Sequence, residues 1–118
     1  MILIPIKTNE GLVTINVKVK GTETWAYLYD EDQMHTNSPV DGKPLHHTLG
    51  QPFELKDDVH YWEFRIANPF DRKINVDVEI DWIQDEKVIK KWNQHVTVSK
   101  ESAELIYDNG LISKILAV

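Results

Sequence analysis

Apolar and polar residues alternate with a period of two through most of the chain, the pattern of strands with one buried and one solvated face. "LVTINVKVKG" sets Val13, Ile15, Val17 and Val19 on one side and Thr14, Asn16, Lys18 and Lys20 on the other. "TETWAYLYD" follows, with Trp25, Tyr27 and Tyr29 in one row and Thr24, Ala26 and Leu28 in the other. "VHYWEFRIA" alternates Trp62, Phe64 and Ile66 with Tyr61, Glu63 and Arg65, and Asn68-Pro69 closes it, because proline cannot donate to a ladder. "INVDVEIDW" is the cleanest case, with Ile74, Val76, Val78, Ile80 and Trp82 inward and Asn75, Asp77, Glu79 and Asp81 outward.

Between the second and third of these segments the rhythm stops. Residues 30–57 hold two acidic clusters, prolines, glycines and only short apolar groups, which predicts a long loop with short edge strands near Leu45–Leu49 and Phe53–Leu55. At the C-terminal end, Asn109-Gly110 predicts a hairpin, since both residues tolerate the positive φ of a type I′ turn. No helical periodicity extends beyond a turn or two.

The segment after "INVDVEIDW" returns as "VIKKWNQHVTV", and the need to keep one face apolar fixes its register. A two-residue loop at Asp85-Glu86 would set the apolar row against Lys91, Asn93, His95 and Thr97, so it is rejected. A three-residue loop sets Ile74 against Val98, Val76 against Val96 and Ile80 against Trp92, with Asp77 facing His95, Glu79 facing Asn93 and Asp81 facing Lys91. A five-residue loop keeps the same parity with other pairs.

This rhythm predicts one all-β domain over residues 1–118, an antiparallel β-sandwich of about seven to nine strands. From "EFRIANPF" through "VTVSKES" the layout, with an asparagine at a strand end, resembles immunoglobulin-like accessory modules. Fold alone does not give function.

Composition narrows the chemistry. The net charge is −6, and basic residues are scattered singly or in pairs, so no stripe for phosphate backbones is present and nucleic acid is not an expected partner. No cysteine means no disulfide, no thiol nucleophile and no zinc knuckle. The opening "MILIPIK" lacks the basic and apolar regions of a signal peptide, and no stretch is long enough for a transmembrane segment, which makes the cytoplasm the default expectation.

The remaining polar and aromatic groups offer few candidates for chemistry. In "PLHHTLGQP", His46 and His47 stand side by side, but neighbours on an extended segment point to opposite sides. Zinc needs three or four convergent ligands, and His35 and His60 complete no recognised spacing, so these histidines read as loop residues. Asp30, Asp32, Asp57 and Asp58 bracket the long loop and would begin a calcium site, without any known ligand spacing. The carboxylates of Asp77, Glu79 and Asp81 lie on a flat face rather than across a cleft, as glycoside hydrolysis would require. No serine sits in a nucleophile elbow, and the glycines are isolated.

Aromatics carry the remaining signal. Trp62, Trp82 and Trp92 fall on core-facing rows, whereas Trp25, Tyr27 and Tyr29 form a row that is either core or a stacking platform, with Tyr61 and Phe70 as further exposed candidates. The expectation is therefore a binding module without catalysis or cofactor. It would engage a protein partner or a second copy through loops and a sheet edge, with Trp25, Tyr27, Tyr29, His35, His46, His47, Tyr61 and Phe70 as candidate contacts. A carbohydrate-binding module is the first alternative, and a calcium or zinc site in residues 30–60 the second.

Overall fold

Alternation along the chain is realised as strands in a computed structural model, which describes residues 2–21, 25–30, 33–37, 45–106 and 112–117. The strands are β1 (Ile2–Ile6), β2 (Val13–Gly21), β3 (Trp25–Asp30), β4 (Gln33–Asn37), β5 (Leu45–Gly50), β6 (Val59–Asn68), β7 (Ile74–Gln84), β8 (Lys87–Val98), β9 (Ser102–Ile106) and β10 (Ile112–Ala117). They form two sheets. One runs β1-β10-β6-β3-β4, with β9 also paired to β6, and the other runs β5-β2-β7-β8. The β1–β10 pair is parallel.

Alternating positions from both sheets meet in one apolar cluster. Ile4 and Ile6 of β1, Val13 to Val19 of β2, Trp62 and Ile66 of β6, Ile74 to Trp82 of β7, Val98 of β8 and Ile115 of β10 are buried together, with Leu55. Each such side chain contributes roughly 1.5–3 kcal/mol on leaving water. Trp62 and Trp82 are structural, as their rows predict, while Trp92 on the outermost strand is only half-buried.

The β7–β8 register matches the expected pairs, from Ile74 with Val98 to Asp81 with Lys91, but the loop that produces it differs. The turn is the rejected two-residue one. Asp85 (φ 49°) and Glu86 (φ 63°) both adopt the left-handed region that a type I′ turn requires. Between Trp82 and Ile83 the register then shifts, because Trp82 faces Lys90 and Ile83 faces Val88. Ile89 is thus an extra, bulged residue, and it restores the apolar pairing that the short loop alone would break.

Residues 30–57 are more structured than one long connection. They carry β4, β5 and a turn of helix, α1 (Pro52–Leu55), where an edge strand was expected near Phe53. Pro52 opens α1, and the Glu54 carboxylate accepts from the Gln51 N–H at 2.9 Å, closing a capping box.

The expected hairpin at Asn109-Gly110 lies outside the described residues. Both β9 and β10 run antiparallel to β6, one beside Phe64–Asn68 and the other beside Val59–Tyr61.

Two buried polar side chains fasten the loops. Asn68, at the end of β6, donates from Nδ2 to the carbonyls of Arg72 (2.7 Å), Val98 (3.2 Å) and Ser99 (3.0 Å), while its Oδ1 accepts from the Phe70 N–H (3.0 Å). Gln84 does the same at the other end of β7. Its Nε2 donates to the carbonyls of Lys7 (2.8 Å) and Gly11 (3.1 Å), and its Oε1 accepts from the Lys7 N–H (2.9 Å). The Gly11 N–H donates in turn to Asp85 Oδ1, and a Cβ on Gly11 would stand 2.8 Å from that oxygen, so the approach suits glycine.

Candidate functional site

The β5-β2-β7-β8 sheet presents its outer face as a set of matched polar pairs. His95 Nδ1 lies 2.8 Å from Asp77 Oδ1, Lys91 Nζ 3.4 Å from Asp81, Lys20 Nζ 3.6 Å from Glu79, and Thr97 Oγ1 donates to Asn75 Oδ1 at 2.8 Å. A shallow groove of about 330 Å³ runs over Lys20, Asp77, Glu79, Asn93, Gln94 and His95. Each of the three carboxylates has a cross-strand basic partner, which is how an ordinary solvated face is stabilised.

A different surface forms where the two sheets come side by side, at the edge strands β1 and β8. Leu3 and Pro5 point outward from β1 because the alternate positions, Ile4 and Ile6, are buried. Across from them the β7–β8 hairpin presents Val88 and Ile89. Leu3 is 48% exposed and Val88 47% exposed. Between β1 and this hairpin lies a groove of about 270 Å³, lined by Pro5, Val88 and Ile89 and rimmed by Lys7, Glu10 and Lys87. Lys7 and Glu10 pair at 3.6 Å. The groove is too small for a drug-sized ligand. It has the size and lining to receive apolar side chains from another chain.

The sequence-derived candidates fall in several places. His46 and His47 are not loop residues: β5 pairs with β2, with His46 opposite Asn16 and His47 opposite Ile15, so they take opposite faces as their adjacency requires. His46 is exposed and His47 half-buried. Phe70 is half-buried against the core cluster, with the Arg72 guanidinium 5.0 Å from its ring centroid. The side chains of His35 and Tyr61 lie outside the described residues.

Register sets Trp25, Tyr27 and Tyr29 opposite Ala67, Arg65 and Glu63, while the buried Trp62 and Ile66 stand opposite Asp30 and Ala26. What the three aromatic side chains touch is outside the described residues. The backbone brings Asp30, at the end of β3, to the same end of the β3–β6 pair as exposed Asp57 and Asp58; Asp32 is outside the described residues. Among the described residues no three of His, Asp and Glu converge as a metal site.

No family model, no curated protein and no solved structure matches the chain. Geometry alone therefore carries the functional argument.

Three exposed apolar side chains, Leu3, Val88 and Phe53, were missed from sequence. Leu3 alternates with core residues and Val88 follows a turn, and only the meeting of β1 with the β7–β8 hairpin brings Val88 and Ile89 beside Pro5. Phe53 is 83% exposed on α1, whose buried residues are Pro52 and Leu55. Among the described residues no helix is long and apolar enough to cross a membrane.

Proposed function

We propose that the chain is a non-enzymatic protein-interaction module built on an immunoglobulin-like β-sandwich. Strand order supports that fold: β10-β6-β3 and β5-β2 match the neighbours G-F-C and E-B of the immunoglobulin arrangement. The β7–β8 hairpin then lies beside β2 where strand A would be.

The observation that carries the interaction reading is the apolar groove at the β1–β8 seam, with exposed Val88 in its lining and Leu3 exposed on the same face of β1 as Pro5. Apolar side chains held on two rigid strands suit the anchor residues of a protein partner, and the charged rim of Lys7, Glu10 and Lys87 gives orientation. Affinity capture from the source cells tests this with three baits: the native chain, Leu3→Glu and Val88→Glu. A partner retained by the native chain, lost by both variants, and rebound after purification is the expected result. Equal retention by all three baits would overturn the seam as the docking site.

A second reading, sugar binding on β3, draws support from register alone. Trp25, Tyr27 and Tyr29 stand in the parity that alternates with the partners of buried Trp62 and Ile66. Glycan-array binding that Trp25→Ala abolishes and Val88→Glu leaves intact would favour it over the seam.

A further inference from the structure

Edge strands invite pairing, and proteins blunt them with proline, bulges, short length or charge. Among the described residues the edge strands of the two sheets are β1, β4, β5, β8 and β9, the last a five-residue strand paired only to β6. β1 carries Pro5. β4 has five residues and a register shift against β3. β5 has a register shift that leaves Leu49 extra, and it runs into Pro52. β8 has its bulge at Ile89 and its lysines at 87, 90 and 91 in its first half, whereas its second half carries none of these devices. It is a 12-residue strand, and its ladder with β7 is unbroken from Lys90 to Val98.

The inward row of β8 is also incompletely covered. Trp92 and Val96 are half-buried, and Lys90 and Gln94 in the same row are exposed, so the strand overhangs the opposite sheet. An overhanging edge with half-covered apolar side chains gains most from a strand laid beside it.

We propose that β8 pairs antiparallel with β8 of a second copy across a two-fold axis at Gln94, joining the two four-stranded sheets into one. This deepens the protein-interaction reading by naming a partner. A different partner at the seam groove would survive its failure.

Register is the argument for a second copy. Keeping the apolar row on one face restricts the axis to whole-residue positions along the strand. With the axis at Gln94, Trp92 faces Val96 of the second copy and Val96 faces its Trp92, so both half-buried apolar side chains gain an apolar neighbour, while exposed Lys90 faces Val98, which its own core already buries. On the polar face Lys91 meets Thr97 and Asn93 meets His95, with no like charges opposed. Moving the axis to Asn93 sets Trp92 against Gln94, Val96 against Lys90 and Lys91 against His95. Moving it to His95 opposes two histidines and sets Val96 against Gln94. The strand is therefore self-complementary about Gln94 and not about its neighbours, which is what an isologous contact needs.

The absence of cysteine from the chain makes a single introduced thiol an unambiguous reporter. Directly paired residues have Cα atoms about 4.5–5.5 Å apart, inside disulfide range, whereas diagonal neighbours are about 7–8 Å apart and outside it. The experiment is sedimentation equilibrium of the native full-length chain, followed by mild oxidation of Gln94→Cys, Asn93→Cys and His95→Cys, each checked for native circular dichroism. The expected result is a native dimer, with Gln94→Cys cross-linking at least tenfold faster than either neighbour. A native chain that stays monomeric to millimolar concentration would overturn the proposal. So would a dimer in which Gln94→Cys cross-links no faster than Asn93→Cys or His95→Cys.

Discussion

Gln84 occupies the inward row of β7, behind Ile80 and Trp82, where sequence alternation alone calls for an apolar side chain. It is fully buried, and it satisfies the Lys7 N–H and the carbonyls of Lys7 and Gly11. A leucine would fill the space and leave the Lys7 N–H and the Gly11 carbonyl without the partner Gln84 supplies, while the Lys7 carbonyl keeps only the Glu10 N–H at 3.3 Å. Leaving a buried group unpaired costs about 1–3 kcal/mol, so Gln84→Leu should lower stability by about 3 kcal/mol. Thr97→Ala, on the exposed face, should change it by less than about 0.5 kcal/mol. Urea midpoints of the two variants check this, and equal shifts would mean that Gln84 does not hold the 7–11 loop. Asn68 is the counterpart at the other end of β7, joining the 68–73 loop to the end of β8.

Among the elements, the β7–β8 hairpin shows what alternation can and cannot determine. Parity along Ile74–Trp82 and Trp92–Val98 dictates the facing pairs, because a slip by one residue turns a strand inside out. Loop length is not dictated, since a two-residue turn with one bulged residue and a three-residue loop give the same pairs. Deleting Ile89 should therefore leave a regular hairpin with the same partners, losing only the packing of a half-buried isoleucine. Deleting Asn93 should reverse the faces of the strand's first half and prevent native folding. Circular dichroism and two-dimensional amide spectra distinguish the two outcomes, and a folded Asn93 deletion would contradict the bulge account.

The short edge strand expected near Leu45–Leu49 is β5, but the one expected near Phe53–Leu55 is the helical turn α1, because Pro52 and Glu54 start a capped turn there. The core tryptophans Trp62 and Trp82 were legible because their rows are regular on both sides. The seam groove was not, since Pro5 and Val88 are 83 positions apart and ordinary until two sheet edges meet.

At the scale of the whole molecule, the charge and the shape point to different surfaces. The dimensions are 50 × 24 × 21 Å, and the long axis suits strands as extended as β7 and β8. Net charge of −6 keeps like copies apart in general, so association must rest on a specific strip where the sign is locally relieved. β8 is such a strip, with Lys87, Lys90 and Lys91 but no acidic residue between Lys87 and Val98. Its outer face is matched internally by Asp77 and Asp81, which leaves the strand edge and the Trp92–Val96 row as its adhesive parts.

Native mass spectrometry of the full-length chain, recorded over a concentration series with and without a chelator, tests the central claim most directly. The account predicts masses of one and two bare chains, with the two-chain species growing as concentration rises and no response to the chelator. A single chain at every concentration, carrying a chelator-sensitive excess that matches calcium or zinc, would contradict it and return Asp30, Asp57, Asp58 and the histidines to the centre.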